Sequence, residues 1–235
     1  MGMALSCPEE GVMKEKAVLV CGGEIRDYSW LRTRIAALDP CRIICADVGA
    51  RHCLNIDVSP EMVIGDFDSL NPALAESLAR RGTRISGYPP EKDQTDTQLA
   101  LEYALSLEPE EIRIFGALGG RIDHTLANMS ILKIALDQGV PARLIDEWSE
   151  ILLTRDRCVL EGEEGQTVSL FPFTTSVTGL TLQGFAYPLE NDVMEVGRPY
   201  GISNVLTGKQ GVISLSDGIL LVIHYYRKGH FPQGA

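Results

Sequence analysis

Aspartates spread over three short motifs are the residues of this chain best suited to chemistry. The motifs are Gly65-Asp66-Phe67-Asp68-Ser69, Lys92-Asp93-Gln94-Thr95-Asp96 and Gly119-Gly120-Arg121-Ile122-Asp123-His124. Each sits where an apolar run ends or a helical pattern begins, the sheet edge at which α/β proteins place ligands. Carboxylates meeting at one edge repel each other, and a hard divalent cation with oxygen ligands relieves that repulsion. Such an ion commonly carries a polyphosphate, so the pattern points to Mg²⁺-dependent phosphoryl chemistry.

Each motif also has a plainer reading. Asp66 and Asp68 are two residues apart at a strand end, so in extended backbone both side chains point the same way and reach one metal cluster. The same residues could instead cap the helix that starts after Asn71-Pro72. In the second motif Thr95 suits a helix cap and Asp96 its first turn. A cap leaves Lys92 and Asp93 unexplained; the lysine can hold a phosphate while Asp93 or Asp96 serves the metal. In the third, glycines let the backbone approach a ligand, the helix N-terminus offers N–H groups to phosphate, and Arg121 adds a forked donor. His124 suits a hydrogen bond beside a nucleotide better than metal ligation, since no cysteine or second histidine is near.

The elements that must position these groups alternate. Ala17–Val20 is a buried strand followed by Gly22-Gly23, and residues 28–38 have helical spacing. Strands follow at 42–46, ending at Asp47, and at 62–64, ending at Gly65-Asp66. Helices are expected over 72–81 and 95–107, a strand over 112–115, a helix from Asp123 to about Gln138, and a strand over 142–145. Such alternation predicts a mostly parallel sheet with flanking helices. Past Trp148 no helical pattern remains, and short segments rich in Val, Ile, Thr, Phe and Tyr predict a small antiparallel β-sandwich or barrel. Ser216-Asp217-Gly218 between two apolar runs predicts a hairpin. The expected division is a flexible extension over 1–16, an α/β nucleotide- and metal-binding domain over 17–148 and a β domain over 149–235.

Composition narrows the function classes. With 21 basic against 32 acidic residues the net charge is −11, which argues against a nucleic-acid partner. A polyphosphate ligand then needs local cations, for which Lys92, Arg121 and a metal are the candidates. No run approaches the ~18 apolar residues of a membrane span, and Met1 to Lys16 lacks the pattern of a secretory signal. The six cysteines show no CxxC pair, so they are expected to be reduced thiols of a cytoplasmic protein.

Together the motifs resemble the thiamine pyrophosphokinase family. The resemblance rests on Asp47-Val48-Gly49-Ala50, the three aspartate motifs above, and Ser203-Asn204, in order and with comparable spacings over roughly residues 17–226. Val48 stands where the family usually has glycine, and Val205 where an acidic residue often follows. The resemblance implies transfer of the pyrophosphoryl group of ATP to the hydroxyl of thiamine, giving thiamine diphosphate and AMP. It implies Mg²⁺ on Asp66, Asp68 and Asp96, with Arg121 and Asp123 joining them in catalysis. ATP would meet Asp47, Lys92, Asp93, Arg121, Asp123, His124 and Thr125, and thiamine would meet Ser203 and Asn204. It also implies a homodimer whose active site lies between the α/β part of one subunit and the β domain of the other. From the residues alone, a metal-dependent phosphohydrolase and a non-catalytic nucleotide sensor stay open.

Overall fold

A computed structural model describes residues 14–66, 72–89 and 91–226. Asp68, with Phe67 and Ser69, and most of the expected N-terminal extension lie outside the described residues. The first part of the chain alternates strands and helices: β1 (Lys16–Val20), α1 (Tyr28–Ala36), β2 (Cys41–Ala46), α2 (Ala50–Asn55), β3 (Met62–Gly65), α3 (Pro72–Arg80), β4 (Arg84–Gly87), α4 (Asp96–Ser106), β5 (Ile112–Phe115), α5 (Ile122–Asp137) and β6 (Ala142–Ile145). Among the described residues only strands follow: β7 (Ser149–Thr154), β8 (Arg157–Glu161), β9 (Thr167–Pro172), β10 (Ser176–Gln183), β11 (Leu189–Glu195), β12 (Asn204–Val205), β13 (Gln210–Ser214) and β14 (Leu220–Tyr225).

Local chemistry sets the helix ends. Asp27 caps α1 by accepting from Trp30 N–H at 2.9 Å, and Thr95 caps α4 by accepting from Gln98 N–H at 3.1 Å. Gly139, at φ +72°, follows the end of α5 in the left-handed conformation that glycine tolerates best. The strands read as unbroken apolar runs because both faces are covered. Ala17 and Leu19 of β1 pack with α4 and α5, whereas Val18 and Val20 pack with Leu31 and Ile35 of α1 and Cys53 of α2.

The strands form a ten-stranded sheet in the order β12-β9-β14-β7-β6-β5-β1-β2-β3-β4 and a four-stranded sheet in the order β11-β10-β13-β8. From β4 to β6 every pairing is parallel, and from β6 onward every pairing is antiparallel. The fold is therefore α/β with a mostly parallel sheet and flanking helices, followed by an antiparallel sandwich. One layer of that sandwich is the continuation of the large sheet.

This continuity corrects the hairpin expectation. β13 pairs with β8 and β10 in the small sheet, whereas β14 pairs with β7 and β9 in the large one. Ser216-Asp217-Gly218 is a corner between sheets. Leu220 and Val222 face the sandwich core while Leu221 and Ile223 pack toward the helix side, so β14 is covered on both faces. A turn signal specifies a chain reversal and leaves open which strands then pair.

A buried polar cluster sits where the two halves of the large sheet join. Arg143 donates to Glu150 at 2.7 Å, and Glu150 lies 3.2 Å from His224 Nδ1. Burial alone would raise the Glu150 carboxyl, but the His224 hydrogen bond and the Arg143 charge outweigh it and bring it from 4.5 to about 2. A depressed acid stabilises the fold above its unfolded pKa, and that contribution disappears as pH falls through the folded value. Glu150→Gln is therefore expected to cost about 3 kcal/mol at neutral pH. The gap to the native chain should close between about pH 4.5 and pH 2 in urea unfolding curves. A gap that is constant with pH would contradict the ionised pair.

Candidate active site

Parallel strands bring their C-terminal ends to one edge. There the chain turns one way from β1 to β2 and the other way from β5 to β6, so the crevice above β1 and β5 is a topological switch point. A cleft of about 590 Å³ opens at this place. Its walls are the loop after β1 (Cys21 to Glu24), Ala46 to Val48 after β2, Asp66 after β3, Lys92 and the start of α4, and Gly116 to Arg121 with His124 and Asn128 of α5.

Register explains how acids remote in sequence meet. Ala46 pairs with Ile64 across β2 and β3, so Asp47 and the Gly65-Asp66 step leave the sheet side by side. Gly65 makes the approach possible, since a Cβ there would lie 2.9 Å from the Asp47 Cβ. Asp96 enters from the first turn of α4. Ligand oxygens of Asp47, Asp66 and Asp96 all lie within 4.8 Å of one another. Asp47 has φ +43°, an unusual backbone for a non-glycine residue, and its Oδ1 is buried without a hydrogen-bond partner. Burial raises the Asp47 carboxyl above its ordinary range; a hydrogen bond from the Val48 N–H opposes this, while the charges of Asp96 and Asp66 add to it. Three carboxylates, one of them with an unsatisfied buried oxygen, form a hard oxygen donor set of the kind that suits Mg²⁺. Sequence reasoning gave Asp47 to the nucleotide and did not place it with Asp66 and Asp96. The available signal was an acid directly after a buried strand.

The cations lie on the same cleft. Lys92 Nζ is 2.6 Å from Asp96 Oδ1. Arg121 directs Nε and Nη2 at Asp123, at 3.1 and 2.5 Å, leaving Nη1 for other partners. The hydrogen bond from Arg121 holds the Asp123 carboxyl down at about 2. The N-cap residue Arg121 makes no side-chain bond to the first turn of α5. The His124 N–H is taken by the Asp123 carboxylate and the Thr125 N–H by Arg121 O, which leaves the earlier N–H groups of the turn for a ligand. Gly119 and Gly120 have φ of +82° and +65°, and a Cβ on either would meet nothing within 4 Å. They serve the turn's conformation and not close packing.

Of the expected nucleotide contacts, Asp47, Lys92, Arg121 and His124 line the cleft, whereas Asp93, Asp123 and Thr125 stand outside it. Asp93 is exposed on the bend before the Thr95 cap. Asp123 is exposed and turned to the Arg121 guanidinium. Thr125 closes the first turn of α5, donating from Oγ1 to Arg121 O at 3.3 Å. Val48 bears on the β1 loop, with Cγ2 only 2.3 Å from where a Gly22 Cβ would lie. The Gly22-Gly23 loop and Asn128, which donates to Ala117 O at 2.7 Å, are wall residues that sequence reasoning did not assign.

Ser203 and Asn204 are elsewhere. Seven inter-strand steps separate β12 from β2, on the order of 30 Å at about 4.8 Å per step. Ser203 is exposed with φ +60°. Asn204 is buried and occupied: its Oδ1 accepts from the N–H groups of Tyr187 and Val205 at 3.0 and 2.9 Å, and its Nδ2 donates to Tyr187 O at 2.7 Å. Asn204 is thus a clamp on the Tyr187 segment, with Ser203 beside it facing solvent.

Residues 39–144 match the family model described as thiamin pyrophosphokinase, catalytic domain, and residues 157–220 match thiamin pyrophosphokinase, vitamin B1 binding domain. The chain belongs to the thiamin pyrophosphokinase family. Thiamine pyrophosphokinase of Bacillus subtilis (strain 168) is 35% identical over 182 residues, covering 77% of this chain and 85% of that protein. Thiamin pyrophosphokinase 1 of Caenorhabditis elegans is 27% identical over 179 residues, 70% of each chain. The crystal structure of thiamine pyrophosphokinase from Bacillus subtilis superposes with a TM-score of 0.81 at 31% identity, covering 91% of this chain and 100% of that one. The chain is therefore an enzyme of this family, and thiamine pyrophosphokinase is selected over a phosphohydrolase or a nucleotide sensor.

Proposed function

We propose that the cleft binds ATP as its Mg²⁺ complex and that the chain transfers the pyrophosphoryl group to thiamine. The thiamine hydroxyl oxygen forms a bond to the β-phosphorus, the bond from that phosphorus to the α,β-bridging oxygen breaks, AMP leaves with the electron pair, and the hydroxyl proton is released to solvent. The observation that carries this reading is the meeting of Asp47, Asp66 and Asp96 beside Lys92 and Arg121 at the switch point of the sheet. Mg²⁺ would be held by these three carboxylates, with Asp68 proposed beside Asp66, and would neutralise phosphate charge. Lys92 and the Nη1 side of Arg121 stabilise charge on the transferred and leaving oxygens, and the first turn of α5 receives phosphate through its N–H groups. His124, on the cleft wall, hydrogen-bonds the nucleotide.

Thiamine is assigned to the β domain, 149–235, and the nucleotide to 17–148. Since Ser203 is far from Asp66 within one chain, the composite site is assigned to a homodimer, with Ser203 supplied by the second copy. The exposed apolar side chains support this arrangement. Tyr200 and Ile202 are exposed beside Ser203 in sequence, exposed Tyr187 is bonded to the adjacent Asn204, and Ile122 and Leu126 are exposed in the first turns of α5 next to the cleft residues Arg121 and His124. No helix among the described residues is long and apolar enough to cross a membrane. The described cysteines are free, which supports assignment to the cytoplasm. The test is product analysis with ATP and Mg²⁺, with and without thiamine. AMP forming only when thiamine is present is the expected result; ADP or free phosphate forming without it would contradict the reading.

A further inference from the structure

Two loops of the cleft, after β1 and after β5, are joined backbone to backbone. The Cys21 N–H donates to Phe115 O at 2.8 Å, and the Gly23 N–H donates to Gly116 O at 2.7 Å. The approach is so close that a Cβ on Gly23 would fall 2.4 Å from Gly116 O. The carbonyl of that same Gly23 lies 2.9 Å from His52 Nε2, and His52 Nδ1 lies 2.9 Å from the Tyr28 hydroxyl. A carbonyl only accepts, so Nε2 carries the proton and donates. In the neutral ring Nδ1 then accepts from Tyr28. Burial lowers the His52 pKa, which favours this neutral form. Tyr28 opens α1 and His52 sits in α2, so two helices behind the wall fix one peptide of the cleft. Neither side chain lines the cleft itself.

We propose that His52, oriented by Tyr28, is a positioning residue for the nucleotide. Through the Gly23 carbonyl it sets the wall from Gly22 to Glu24, and through the Gly23–Gly116 bond it fixes the start of the glycine-rich loop. The inference rests on ATP as the occupant of the cleft. A wall that touches bound nucleotide equally before and during reaction affects binding more than turnover. Loss of His52 should therefore appear in KM for ATP and not in kcat.

The experiment measures AMP formation with ATP and thiamine varied separately. His52→Leu should raise KM for ATP about tenfold, the scale of a lost hydrogen bond with its carbonyl left unpaired, and change kcat and KM for thiamine by less than about twofold. His52→Gln, whose amide nitrogen can donate to Gly23 O, should restore most of the affinity. An unchanged KM for ATP in folded His52→Leu overturns the inference, as does an equal loss in all three constants. Should His52→Leu fail to fold by circular dichroism, Tyr28→Phe removes only the orienting hydroxyl and should raise KM for ATP about threefold; no change there overturns it. Native chain that forms no AMP would contradict the ATP reading itself, and this inference with it. Native turnover with an indifferent His52→Leu would contradict the role of His52 alone.

Discussion

Asp47→Asn and Asp66→Asn should each lower kcat on the order of 100-fold or more, the scale of removing one key electrostatic contact from a reacting centre. The amide keeps the shape of the carboxylate and removes its charge, so the effect isolates the acid's role. Asp47 gives the sharper contrast because its carboxyl is raised, with burial the largest cause. An acid whose folded pKa lies above its unfolded one destabilises the fold once pH exceeds the unfolded value. In metal-free buffer at neutral pH, Asp47→Asn should thus be at least as stable as the native chain. Added Mg²⁺ should raise the native Tm and leave the variant's nearly unmoved, because an ion bound only by the folded state stabilises it. Near-native turnover in Asp47→Asn, or an equal Mg²⁺ response in both proteins, would remove Asp47 from the metal set.

The second large effect concerns the distance between Ser203 and the acid cluster. In the proposed homodimer, Ser203→Arg would place bulk and positive charge against cationic thiamine and should nearly abolish turnover. Asp66→Asn is inactive for a different reason. Mixed in equal amounts under conditions of subunit exchange, the two should recover about a quarter of native activity. Half the dimers are then mixed, and each mixed dimer has one intact composite site of two. No recovery despite demonstrated exchange would mean that each active site lies within one chain.

The features read correctly from sequence are those decided locally. The Thr95 cap with Asp96 behind it, the double-sided apolar runs of β1 and β2, and the glycine after α5 all follow from chemistry within a few residues. What was missed depends on which strands become neighbours. Asp47 joins Asp66 because β2 lies beside β3 in a particular register, and no short motif states that register. The Ser216-Asp217-Gly218 turn misled for the same reason, since its arms enter different sheets. β4 was not anticipated because this edge strand, Arg84–Gly87, is mostly exposed and carries no apolar run. That Asn204 holds the Tyr187 backbone, 17 residues away in sequence, through Oδ1 and one N–H of Nδ2 was likewise not legible in the Ser203-Asn204 pair.

The most direct test follows the phosphorus atoms. ATP labelled at the β-phosphate should deliver its label to thiamine diphosphate and leave the AMP unlabelled, at a rate that Asp66→Asn reduces together with AMP formation. Label appearing in ADP, or in free phosphate or pyrophosphate with thiamine unmodified, would contradict pyrophosphoryl transfer at this site.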